Sequence, residues 1–157
     1  KRRDAIWATY HAQLAQELAR LRQVHGVAAL WDDHSIRSVL PHFFEGQLPD
    51  LNLGTANGAS CDPALAEQLL AIGKQATAYT AVLNGRFTGG HITRQYGKPA
   101  QGIHAVQLEM TQSSYMQESW PFDYLPEVAS GVQPHVRRML EAVLAFVESP
   151  GLGSRAH

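Results

Sequence analysis

A few short stretches of the chain carry side chains able to do chemistry. Asp32 and His34 stand two residues apart behind an apolar run, so on an extended backbone they share one face. An imidazole suits a borderline metal such as zinc, and a neighbouring carboxylate can ligate the ion or fix the ring tautomer from behind. An ordinary strand-end cap is the alternative reading. No His-Glu-x-x-His or Cys-x-x-Cys pattern accompanies the pair, so spacing alone defines no complete metal site. Glu109 closes another apolar run. Alternation puts it on a face with Ile103, Ala105 and Gln107, while His104, Val106 and Leu108 point the other way. Desolvation there would raise its pKa and suit it to general base or acid work; a solvated strand terminus is the competing reading. Arg86 and Arg94 flank a segment holding Gly89-Gly90, and Asn84 shares a face with Arg86 if the preceding strand runs on that far. A guanidinium fork matches a carboxylate in two-point contact, so an acidic small molecule is the natural ligand. Gly89-Gly90 fits no phosphate loop and reads as a close approach of backbone to ligand, or as a hinge. Neither Cys61, with no histidine partner in sequence, nor Ser35, outside any Gly-x-Ser-x-Gly setting, is favoured as a nucleophile.

Elements must hold these residues in place. Residues 4–24 read as an amphipathic helix, with Trp7, Tyr10, Leu14, Leu18 and Leu21 at three- and four-residue spacing and a stop at His25-Gly26. Strands are expected at 27–31, 79–83 and 103–110. Asp62-Pro63 caps a helix to about Gly73, and 132–147 forms a last helix striped by Val132, Val136, Met139 or Leu140, Val143 and Val147. Residues 41–60 read as loop with brief extended pieces near Phe43-Phe44 and Leu51-Leu53, and 87–102 as a long polar loop. This order indicates α/β. Three strands are few for a helix-covered sheet, so either the loops hide strands or part of the domain is absent.

Composition agrees. A chain of 157 residues, 45% hydrophobic, suits one domain with a core. Thirteen basic against 14 acidic residues give no electrostatic reason to hold nucleic acid or an anionic membrane. No apolar run approaches the about 18 residues of a bilayer span. The single cysteine can form no internal disulfide, which favours a reducing, cytoplasmic setting. Residues 149–157 read as a frayed tail.

Several blocks then converge. Trp-Asp-Asp-His-Ser-Ile at 31–36, Asp-Leu-Asn-Leu-Gly-Thr at 50–55, Asn-Gly-Arg-Phe-Thr-Gly-Gly-His-Ile-Thr-Arg at 84–94 and Gly-Ile-His-Ala-Val-Gln-Leu-Glu-Met at 102–110 closely resemble the N-formylglutamate amidohydrolase family. The resemblance implies a phosphorylase/hydrolase-like α/β fold with a mixed, mainly parallel sheet flanked by helices. It also implies that residues 1–157 are the C-terminal part of a single amidohydrolase domain lacking its N-terminal strands. The implied reaction is metal-dependent hydrolysis of N-formyl-L-glutamate to formate and L-glutamate in histidine catabolism. A related N-acyl-amino-acid amidase, or an inactive fragment or binding module, is the alternative. Carried over by position, His34 becomes a metal ligand with Asp32 adjacent, and Glu109 the general base and then acid. Asn84, Arg86 and Arg94 become the groups that hold a small acidic N-acyl amino acid. Zinc or another divalent metal is the implied cofactor, its other ligands expected in an N-terminal portion. The chain departs from the family in Asp33, where alanine is common, and in His91, where an aromatic residue is common.

Overall fold

The first helix is entered and left by local geometry. In the computed structural model, which describes residues 3–149, a π-helical turn (Arg3–Trp7) leads into α1 (Ala8–His25). Gly26 ends α1 in the left-handed region, its N–H returning to the Arg22 carbonyl at 2.8 Å. A residue with a β-carbon would be strained there, which is why the His25-Gly26 stop is legible. β1 (Ala28–Ile36) follows at once. After a long connection come β2 (Leu51–Gly54), α2 (Pro63–Gln75), β3 (Ala81–Leu83), the short α3 (His91–Tyr96), β4 (Ile103–Thr111) and α4 (Pro126–Glu148). The Asp62 side chain caps α2 by accepting from the Ala64 N–H at 2.8 Å.

The four strands form one mixed sheet in the order β1-β4-β2-β3. β1 runs parallel to β4, β2 parallel to β3, and β2 antiparallel to β4. This corrects the expectation of a sheet lacking its N-terminal strands: the chain's N-terminal helix and strand are built in, and β1 pairs with β4 over nine residues. β2 is a full sheet strand where the sequence indicates only a brief extended piece near Leu51-Leu53. It is four residues long and wholly buried, with Pro49 before it and Gly54 at its end, too short to show a period. β1 also runs five residues past its apolar part, because pairing with β4 holds polar Asp32–Ser35 extended.

Alternation divides the sheet into two chemically different faces. Leu51, Leu53, Val106 and Leu108, with Trp31 and Met110 beside them, pack against α2 and α4 to make the core. In α4 it is Met139 that is fully buried, while Leu140 on the next position is exposed. α3 packs against β4 and β1, and α1 is tied to α3 by a 2.6 Å hydrogen bond between His11 Nδ1 and the Tyr96 hydroxyl. Asp50 fastens one end of the sheet, accepting from the Thr80 N–H at 2.8 Å, the Thr80 hydroxyl at 2.7 Å and the Thr111 hydroxyl at 3.2 Å. The frayed tail expected over 149–157 lies, apart from Ser149, outside the described residues.

Cys61, not favoured as a nucleophile from sequence, and His104, on the face of β4 opposite Glu109, are both structural. Cys61 is buried, and burial, helped by Asp62, pushes its thiol up to about 12. His104 is buried against Phe146 of α4, and its Nδ1 accepts the Asp62 N–H at 3.1 Å, so the ring is neutral with its proton on Nε2. Burial holds the His104 pKa below the ordinary imidazole range, with Asp62 opposing. Because the folded value lies below the unfolded one, protons favour the unfolded chain as pH falls through about 6.5 toward the folded value. Stability should therefore decline across that window in the wild type, and denaturant melts of His104→Gln should show a shallower decline. Equal slopes would show that His104 does not contribute.

Candidate active site

On the face away from the α2/α4 core, the register of three strands places side chains in a small grid. His34 of β1 pairs with Glu109 of β4, and Glu109 pairs with Asn52 of β2. One step along, Asp32 pairs with Gln107, and Gln107 with Gly54. Residues two apart on neighbouring strands thus come together although up to 77 positions separate them in the chain (Asp32 to Glu109).

Glu109 lies buried within this grid. It is only 7% exposed. Its carboxyl is raised above the ordinary range by burial first; His34 opposes this, and the carboxylates of Asp32 and Asp33 add to it. Gln107, itself buried, donates from Nε2 to Glu109 Oε2 at 3.2 Å. Asn52, fully buried, donates through Nδ2 to the main-chain carbonyls of Glu109 at 3.1 Å and Pro49 at 2.7 Å. Glu109 is therefore held on its strand by two buried amides, a geometry that suits one orientation of its carboxylate.

His34 and Asp32 meet as their spacing indicates: His34 Nε2 donates to Asp32 Oδ1 at 3.1 Å, with the ring about half exposed. That bond places the proton of a neutral ring on Nε2 and leaves the lone pair on Nδ1, the arrangement by which a carboxylate prepares an imidazole for a metal. Among the described residues, however, no three His, Cys, Asp or Glu side chains gather closely enough to hold a metal ion. His34 and Asp32 supply part of a donor set and do not by themselves fit zinc. Asp33 points to the other side of β1, where it joins Ser35, Tyr115 and Arg137 along a groove beside α4.

The segment after β3 folds over this face. The Asn84 side chain organises it: Oδ1 accepts from the N–H groups of Thr55 at 2.8 Å and Asn57 at 3.3 Å, while Nδ2 donates to the Thr55 hydroxyl at 2.8 Å. Ala56, Asn57 and Gly58 all take positive φ around that oxygen, so Asn84 fills a concavity of backbone N–H groups. Arg86 donates to the Phe43 carbonyl and Arg94 to the Gly89 carbonyl, so both arginines brace loops rather than touching Glu109. Gly89, at φ 114°, and Gly90 carry the chain across the end of β2. The Gly90 N–H donates to Gln107 Oε1 at 2.6 Å, and Gln107 in turn reaches Glu109. His91, with Trp7, His11 and Tyr96, forms a ring cluster between α1 and α3. Gln107 and Asn52 are the site residues that sequence reasoning passed over. The signal for Gln107 was its place two residues before Glu109 on an alternating strand; for Asn52 there was none until β2 was seen to pair.

A mixed sheet with an apolar, helix-covered face and a polar face bearing a buried carboxylate makes this an α/β domain. Comparison with known proteins narrows this. The sequence model of the N-formylglutamate amidohydrolase family matches residues 1–116, and the chain belongs to that family. It is 57% identical over 143 residues to the N-formylglutamate deformylase of Pseudomonas putida, across 91% of this chain and 54% of that protein. The N-formylglutamate deformylase of Pseudomonas aeruginosa is 55% identical over 141 residues, across 90% of this chain and 53% of that protein. The crystal structure of an N-formylglutamate amidohydrolase from Ralstonia eutropha shares the fold, with a TM-score of 0.78 at 22% identity over 93% of this chain and 54% of that one. The chain spans about half the length of the curated relatives it matches. The reading of it as merely the C-terminal portion of the family domain is corrected, because the family match begins at residue 1 and the likeness runs along nine-tenths of the chain. No helix among the described residues is long and apolar enough to cross a membrane.

Proposed function

We propose that this protein hydrolyses N-formyl-L-glutamate to formate and L-glutamate, a late step in histidine breakdown, in the cytoplasm. The observation that carries this reading is Glu109: a buried carboxylate with a raised pKa, fixed by Gln107 and set beside His34. High identity to two deformylases supports the substrate assignment. Glu109, when ionised, takes a proton from the attacking water and later hands it to the leaving amine, a role that its raised proton affinity suits near neutral pH. Arg86 and Arg94 each spend one hydrogen bond on a loop carbonyl and keep further N–H donors for the two carboxylates of the substrate. Asn84 keeps one amide hydrogen for the same purpose. Zinc is proposed on the family likeness and on the imidazole–carboxylate pair, with His34 as its ligand in this chain.

The test is turnover of formyl-, acetyl- and succinyl-glutamate by the intact protein, with metal content read on the same desalted sample. Formate release from the formyl compound alone, with bound zinc that His34→Ala loses, is the expected result. Preference for a longer acyl group would replace the substrate assignment, and full metal content in the His34 variant would remove its role as ligand.

A further inference from the structure

Gln107 holds Glu109, and its other end reaches a second part of the site. It is 4% exposed and makes one hydrogen bond from each end of its amide. At one end Oε1 accepts the Gly90 N–H at 2.6 Å; at the other Nε2 donates to Glu109 Oε2 at 3.2 Å. An amide oriented this way cannot rotate without breaking both bonds, since its donor and acceptor ends are not interchangeable. The loop end is equally constrained. Gly89 and Thr88 lie so close over Gly54 that a β-carbon on Gly54 would sit 2.5 Å from the Gly89 nitrogen. A β-carbon on Gly90 would come within 3.0 Å of Gln107 Oε1. Arg94, one turn into α3, donates to the Gly89 carbonyl, so the guanidinium, the loop and the amide are joined in series.

We propose that Gln107 is a positioning residue that ties the glycine loop carrying Arg94 to the carboxylate of Glu109. Seating of the substrate's carboxylates on that loop and aiming of the base are then parts of one hydrogen-bonded unit. This inference rests on the proposed amide hydrolysis, and deepens it by naming a residue that acts through both the substrate-holding loop and the base.

The two bonds can be separated by substitution. Gln107→Glu keeps an oxygen for Gly90 and sets a second carboxyl against Glu109 in place of the amide donor, whereas Gln107→Met, of similar length, loses both bonds. In the intact protein Gln107→Glu should lower kcat about 100-fold with KM within about twofold of wild type. Gln107→Met should lower kcat by a similar factor and also raise KM. The Gly90 amide proton, observed by NMR in selectively labelled protein, should move upfield in Gln107→Met and stay near its wild-type position in Gln107→Glu. An unmoved Gly90 resonance in Gln107→Met, wild-type kcat in that variant, or parallel changes of kcat and KM in both variants would each overturn the proposal. If wild-type protein releases no formate from N-formylglutamate, the substrate assignment fails, while the Gly90 resonance still tests the linkage.

Discussion

Replacing Glu109 with glutamine is expected to lower formate release by about 10²–10⁴-fold while making the protein more stable at neutral pH. The first effect follows from loss of the one carboxylate that, among the described residues, is buried on the polar face of the sheet, since glutamine keeps the shape and cannot accept a proton. The second follows from linkage. The folded pKa of Glu109 is raised, chiefly by burial, so the native state holds its proton more tightly than the unfolded chain does. Such a group contributes its stability fully below the unfolded pKa and loses it as pH rises through the folded value. Glutamine is always neutral and escapes that loss. Melts after chelation should therefore show Glu109→Gln above wild type at pH 8, with the difference shrinking toward pH 4. A variant less stable than wild type at pH 8 would mean that hydrogen bonds to the carboxylate outweigh its desolvation. Retained formate release would remove Glu109 from the reaction.

Gly54→Ala should be the most damaging small substitution in the site. The new methyl group would meet the Gly89 nitrogen at 2.5 Å and the Thr88 carbonyl carbon at 2.7 Å, backbone atoms that cannot rotate aside. Either the loop lifts off the end of β2 or β2 shifts against β4. Overpacking of this kind costs about 1–3 kcal/mol. Lifting the loop also draws the Gly90 N–H away from Gln107, so substrate binding should weaken along with stability. Kinetics and denaturant melts on Gly54→Ala check both, and a variant with wild-type KM and stability would show that the loop has room to move.

The two predictions draw on different kinds of information. The faces that Glu109 and the His34–Asp32 pair take were legible because a period of two along an extended strand assigns faces without reference to any other strand. The helix ends at Gly26 and Asp62 were legible for an equally local reason: a left-handed backbone and a side-chain cap are properties of a few consecutive residues. Arg86 and Arg94 were legible as cations near a glycine segment, but their partners, the carbonyls of Phe43 and Gly89, were not. Nothing local marks which carbonyl a long side chain will reach.

What sequence determined by itself was thus the elements with a period or a cap, the face that each strand residue takes, and, through its motif blocks, the family. Only the tertiary structure decided that Leu51–Gly54 is an interior strand, since four residues carry no period and are held extended by β3 and β4 on either side. Only the register of β1, β4 and β2 set His34 beside Glu109 and Asn52, and Asp32 beside Gln107. Alignment between strands far apart in the chain depends on how α2 and α4 pack on the opposite face, which is a property of the assembled core and of no single segment.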